Sequence, residues 1–172
     1  VKGYDLPKTV DSETLVVTSS VSGNTIETLT VLDSAKKINC KLVAFSDGGK
    51  MKEYCIKNNI EHRNISLYHS PRASFPSYLF SMLKVLQPII PIKNKDISES
   101  IINLKDLQDK ISSSNIVFDN PAVELAQWIT NIPIIYYPWG LQAAAVRFKN
   151  SIQENAKMHA MIEDVIESGH NG

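Results

Sequence analysis

Ser20-Val21-Ser22-Gly23-Asn24-Thr25 separates the apolar run Leu15-Val16-Val17 from a helical pattern that puts Ile26, Leu29, Leu32 and Ala35 on one side. Small polar residues at a strand-to-helix turn are how a phosphate cradle is built. The first helical N–H groups have no partner within the helix, and the helix dipole adds partial positive charge, so an anion is held without Lys or Arg. The hydroxyls of Ser20, Ser22 and Thr25 would add neutral donors, and Gly23 removes the side chain that would block close approach. Ordinary strand-to-helix turns use the same residue types, so the six residues alone leave both readings open.

Outward from this loop, strand and helix alternate. Residues 15–20 read as a short buried strand and 24–38 as a helix. Residues 40–46 read as a second strand, closed by Asp47-Gly48-Gly49, with a helix over 50–58 and a third strand over 64–69. This order predicts an α/β fold with parallel strands, right-handed crossovers and ligands beyond the strands' carboxyl ends, where the 20–25 loop stands. A helix over 74–87 is stopped by Pro88-Ile89-Ile90-Pro91. Residues 96–114 form a polar, helix-compatible segment of structural role, with Ile97, Ile101, Leu104, Leu107 and Ile111 at spacings of three and four.

Asn120-Pro121 reads as a helix start, Asn120 as cap and Pro121 at the first helical position, with Glu124 suiting the dipole. A strand over 132–137 follows, and then a long helix over 141–157 with Leu141, Ala144, Ala145, Phe148 and Ile152 as its buried stripe. The change of composition over 115–131 marks a boundary, beyond which a second α/β unit opens with about one strand and one helix. That is too little for an independent sheet.

Composition narrows the function. Of 172 residues 43% are hydrophobic, enough for a sizeable core, and eighteen basic against eighteen acidic residues give a formal charge of zero. No basic stripe argues for nucleic acid or an anionic membrane, and no apolar run has the length of a membrane span. Cys40 and Cys55 have no metal-like spacing, so a reduced, cytoplasmic protein without a metal or other cofactor is the plain reading.

Ser22-Gly23-Asn24-Thr25-Ile26-Glu27-Thr28 resembles the signature loop of the sugar isomerase (SIS) domain, a sugar-phosphate-binding α/β module. Four further segments resemble, in order, motifs of the bifunctional phosphoglucose/phosphomannose isomerases. They are Ser70-Pro71-Arg72-Ala73-Ser74-Phe75-Pro76, Ile134-Ile135-Tyr136-Tyr137-Pro138-Trp139-Gly140-Leu141, Gln153-Glu154-Asn155-Ala156-Lys157 and Glu167-Ser168-Gly169-His170-Asn171. The resemblance runs along nearly the whole chain and is weakest over 88–116. It implies an SIS-type parallel sheet flanked by helices over 1–93, lacking that domain's first strand and Gly-Ser-Gly loop. A helical linker over 94–131 and a partial second SIS domain over 132–172 complete the expected central portion of a two-domain enzyme.

The implied activity is aldose–ketose isomerisation of glucose 6-phosphate, and of mannose 6-phosphate, to fructose 6-phosphate through an enediol. That reaction needs the phosphate anchored, the ring opened, a proton moved between neighbouring carbons and the developing oxyanion stabilised. By resemblance, Ser20, Ser22 and Thr25 hold the phosphate, Glu154 is the base, Arg72 steadies the enediolate and His170 opens the ring. In the family the comparable histidine reaches the site from a partner subunit, which implies a homodimer with a shared site. The family usually has an acidic residue after the asparagine, where this chain has Gly172. On position alone Glu154 would be a solvated helix residue, Arg72 an exposed loop cation and His170 a surface histidine. His62, His69 and His159 match no motif and read as structural, and Trp128 and Trp139 read as packing residues. A non-catalytic sugar-phosphate-binding module needs the loop but not Arg72, Glu154 and His170 together. An isomerase of amino-sugar phosphates would share the loop without the Arg72 and His170 segments.

Overall fold

The computed structural model describes residues 3–116 and 119–171, in two compact units divided between Lys93 and Asn94. In the first unit β1 (Leu15–Ser19), β2 (Lys41–Ser46) and β3 (Glu61–Asn64) form a parallel sheet in that order, with Ser19 opposite Phe45 and Ser46 opposite Asn64. The helices are α1 (Ile26–Ile38), α2 (Gly49–Lys57) and α3 (Phe75–Leu86).

The central strand β2 is covered on both faces, as parallel sheets require. Ala44 packs with Leu32 of α1 and with Met51 and Cys55 of α2, while Val43 and Phe45 pack with Ile65 and with Tyr78 of α3. Leu32, Phe45 and Met51 are fully enclosed, each burial contributing about 1.5–3 kcal/mol. α1 ends at Asn39, whose left-handed backbone (φ 64°) turns its N–H back to the carbonyls of Ala35 and Lys36. Across the helices the Tyr54 hydroxyl donates to Asp33 at 2.8 Å, and Lys37 pairs with the same carboxylate at 2.7 Å.

The third strand lies earlier than the sequence predicts. β3 is the polar run Glu61–Asn64, and past it only Ile65 keeps a ladder bond, its N–H donating to Ser46 at 3.0 Å. The apolar alternation of Ile65 and Leu67 suggested a strand at 64–69, but the register is set by β2, which ends opposite Asn64. An edge strand, exposed on one side, tolerates the polar residues that hid it.

In the second unit α4 (Asn94–Ile111) and α5 (Pro121–Trp128) precede β4 (Ile134–Tyr137), α6 (Gln142–Ser151), a π-helical turn (Ile152–Ala156), β5 (Met161–Asp164) and α7 (Val165–Asn171). The helix start at Asn120 forms as predicted. Its buried side chain accepts the Ala122 and Val123 N–H groups at 2.9 and 3.3 Å and donates to the Asn115 carbonyl. The stripe of α4 has no buried member.

Four expectations are corrected in this unit. The helix predicted over 141–157 ends at Ser151 and widens into the π turn, closed by Lys157 in left-handed backbone (φ 58°). Of its predicted buried stripe, Ala145 is buried whereas Leu141 and Phe148 are exposed. The unit also does not stop there, because β5 pairs parallel to β4, Ile134 opposite Met161, and continues into α7. Its four residues Met-Ile-Glu-Asp are too short and too acidic for a strand pattern. Trp128 and Trp139 are 77% and 89% exposed, so neither packs as predicted.

Candidate functional site

The 20–25 loop leaves the carboxyl end of β1 and delivers the chain into α1. Its first residue turns inward: Ser20 is buried, its Oγ accepts the Gly23 N–H at 3.1 Å and lies 2.8 Å from Thr25 Oγ1. The Ser22 and Thr25 side chains are on the exposed rim. Ser22 Oγ accepts the Asn24 N–H at 3.2 Å, which leaves the Ser22 proton to donate elsewhere. Thr25 is the cap residue of α1, yet its side chain caps no amide of the first turn. The three predicted hydroxyls are thus brought together around one helix start, with Ser20 bracing the loop from inside.

A second loop packs against this one. Gly23 has left-handed backbone (φ +68°), and a Cβ there would stand 1.9 Å from the Gly48 carbonyl oxygen, so only glycine fits. The Asp47 N–H donates to Val21 O at 3.0 Å, Met51 N–H to Gly23 O at 2.9 Å and Lys50 N–H to Asn24 Oδ1 at 3.1 Å. The 46–51 turn therefore moulds the 20–25 loop.

Arg72 belongs to the same unit, exposed in the turn between β3 and α3. Ser74, fully buried, organises that turn by donating to the Ser70 carbonyl at 3.1 Å and accepting the Tyr68 N–H at 3.1 Å. Behind it, the buried Tyr78 hydroxyl reaches Val21 O at 3.4 Å and Ile65 O at 3.5 Å, tying the first and third loops together. Burial, with the Asp47 charge nearby, pushes the Tyr78 phenol up, so it stays a donor.

Glu154 and His170 lie in the second unit. Glu154 is exposed in the π turn ahead of β5, not on the straight helix that the sequence predicts. His170 is exposed in the last turn of α7, whose start is fixed by Asp164 Oδ1 accepting the Ile166 N–H at 2.8 Å. The two stand on consecutive connections around β5, and Gly172 lies outside the described residues. Sequence reasoning missed Gly48, Gly49, Ser46 and Tyr78; the Asp47-Gly48-Gly49 turn was the one visible signal. Among the described residues there is no metal-holding cluster of His, Cys, Asp and Glu, and no helix long and apolar enough to cross a membrane.

Residues 118–172 match the bacterial phospho-glucose isomerase C-terminal SIS domain. A bifunctional phosphoglucose/phosphomannose isomerase of Caldicellulosiruptor bescii is 34% identical over 99% of this chain and 51% of its own length. A D-glucosamine-6-phosphate 4-epimerase of Sulfolobus acidocaldarius is 32% identical over 94% of this chain and 51% of its own. Among solved structures, the tagatose-6-phosphate ketose/aldose isomerase of Escherichia coli superposes with a TM-score of 0.61 at 16% identity, covering 95% of this chain and 46% of that one. The chain spans about half the length of the curated relatives it matches.

Proposed function

We propose that this chain, whose residues 118–172 match the bacterial phospho-glucose isomerase C-terminal SIS domain and which is similar to bifunctional phosphoglucose/phosphomannose isomerases along nearly its whole length, serves aldose–ketose isomerisation of a hexose 6-phosphate. Glucose 6-phosphate, and with it mannose 6-phosphate, would be converted to fructose 6-phosphate through an enediol. The observation that carries the reading is the 20–25 loop, moulded by Gly48 against Gly23 and presenting the Ser22 and Thr25 hydroxyls beside the uncapped start of α1.

In this reading Ser20 donates to Thr25, which polarises the Thr25 hydroxyl as it donates to a phosphate oxygen. Ser22 adds its own proton, and the first-turn amides of α1 meet the remaining charge. Arg72, a fixed cation, holds the enediolate oxygen. Glu154 moves the carbon-bound proton, and His170, supplied by the partner copy of a homodimer, transfers the ring-opening proton. The domain reading follows: an SIS domain over 1–93, a helical linker over 94–131 and part of a second SIS domain over 132–172. A cytoplasmic setting suits the free thiols of Cys40 and Cys55.

A second reading, chemistry on an amino-sugar phosphate, is favoured by the 32% identity to the glucosamine-phosphate epimerase. Calorimetric titration with fructose 6-phosphate and with glucosamine 6-phosphate separates them. The loop assignment predicts that Ser22→Ala/Thr25→Ala weakens fructose 6-phosphate by about 1–3 kcal/mol, and equal affinity in variant and parent refutes it.

A further inference from the structure

We propose that His62 is a positioning residue for the anion site, acting through Ser46 and Gly48 on the loop that holds the phosphate. The inference rests on the reading of the 20–25 loop as that site, and the chain of contacts is short.

Ser46 closes β2 and is fully buried, so its hydroxyl must find its partners within the protein. Its Oγ donates to the Gly48 carbonyl at 2.9 Å, accepts the Gly48 N–H at 3.2 Å and lies 2.7 Å from Nε2 of His62, on the neighbouring strand. A hydroxyl has one proton and two lone pairs. With the proton on the Gly48 carbonyl and one lone pair taken by the Gly48 N–H, the third contact requires His62 to donate from Nε2. This assigns the tautomer from the network and uses every bonding site of the hydroxyl.

The residue so gripped is the one that shapes the cradle. Gly48 adopts φ 152° and ψ −127°, a conformation that side chains rarely permit, and its carbonyl oxygen is the atom that abuts Gly23. Gly49 follows with φ +63°, where a Cβ would meet Ser22 O at 2.5 Å and Asn24 Oδ1 at 2.8 Å. A rotation of the 48–49 peptide would therefore be transmitted directly to Ser22, Gly23 and Asn24. The Ser46 hydroxyl holds that peptide, and His62 holds the hydroxyl.

His62 is half-buried and lines an open cleft of about 440 Å³ with Lys36, Cys40, Asn59 and Glu61, and the charge of Lys52 in α2 acts on it. It makes no direct contact with the 20–25 loop in the bonds above, so its effect on an anion there would pass through Gly48.

The test is a titration with inorganic phosphate followed at the Gly23, Gly48 and Gly49 amide resonances, for the parent chain, His62→Leu and His62→Gln. Glutamine places an amide donor at the reach of Nε2, whereas leucine fills the space without one. Losing one buried donor should weaken phosphate by about tenfold in His62→Leu, with His62→Gln restored to within about threefold of the parent. Ser46→Ala removes the hydroxyl through which His62 would act, so adding His62→Leu to it should weaken phosphate no further, and an added loss overturns the inference; His62→Asn, too short to reach Ser46 Oγ, covers the case in which His62→Leu does not fold. Equal phosphate affinity in the parent and His62→Leu, or equal weakening in the Leu and Gln variants, overturns the inference while leaving the loop assignment standing. Absence of phosphate binding by the parent chain overturns the loop assignment, and this inference with it.

Discussion

A Cβ built on Gly23 would stand 1.9 Å from the carbonyl oxygen of Gly48: the loop after β1 and the turn after β2 touch backbone to backbone. Three hydrogen bonds fasten the contact, from Asp47 to Val21, from Met51 to Gly23 and from Lys50 to Asn24. The proposed anion site therefore takes its shape from two loops, and substitutions in either should be felt in both.

Gly23→Ala meets both obstacles together. Its φ of +68° alone costs an L-residue about 1–2 kcal/mol, and the Gly48 carbonyl must also move. A total loss of about 3 kcal/mol is expected in urea unfolding, with phosphate binding abolished. A stability within error of the parent would show that the loops can separate freely.

Tyr78→Phe keeps the ring against Val43 and Phe45 but removes the hydroxyl that bridges Val21 and Ile65. Both bonds are long and share one proton, so the expected destabilisation is about 1 kcal/mol, not more. Chemical denaturation with an unchanged m-value is the appropriate readout. A loss well above that figure would mean that the hydroxyl holds these two loops more tightly than its distances indicate.

Asp33 and His62 each contribute to the pH dependence of stability. The Lys37 ammonium, then the Tyr54 hydroxyl, hold the Asp33 carboxyl below its ordinary 3.8, so its contribution is present above 3.8 and is lost as pH falls through the lower folded value. Burial, then the Lys52 charge, lowers His62 below its ordinary 6.5; the unfolded chain takes up that proton first, and stability falls as pH drops below 6.5, levelling off beneath the folded value. Thermal midpoints against pH should show both declines, His62→Gln removing the upper and Asp33→Asn reducing the lower, to which Asp11, also held below 3.8 by its hydrogen bond from Thr14, contributes. A decline near 6.5 that persists in His62→Gln would assign it to another group.

The first unit was largely legible because its signals are local. Leu15, Val16 and Val17 announce β1, the 26/29/32/35 spacing announces α1, and Ser-Gly-Asn-Thr announces the turn between them. What could not be read is what depends on contact between distant residues. Gly48 as a mould for Gly23 needs the register of β1 against β2, and the Ser46–His62 bond needs that of β2 against β3. In the second unit the π turn at Ile152–Ala156 follows from no residue pattern, since a stretch that begins as an amphipathic helix reads as one throughout. β5 is four residues with two acids, and only its parallel pairing with β4 makes it a strand.

The chemistry itself is tested at Glu154 and His170. Glu154→Gln preserves size and hydrogen-bonding reach while removing the base, so fructose 6-phosphate should bind as before while turnover falls by roughly 10²–10⁴-fold. The π turn holds Glu154 exposed, and Gln fits the same exposed position. His170→Ala, at the exposed end of α7, should depress turnover of the closed-ring sugar far more than that of an open-chain analogue, which needs no ring-opening proton. Exchange of substrate hydrogen with heavy water separates the two roles: it should vanish in Glu154→Gln and persist with the open-chain analogue in His170→Ala. Exchange at the parent rate in Glu154→Gln would transfer proton abstraction to another residue, and the chain would then be read as a sugar-phosphate-binding module with no catalytic carboxylate at this position.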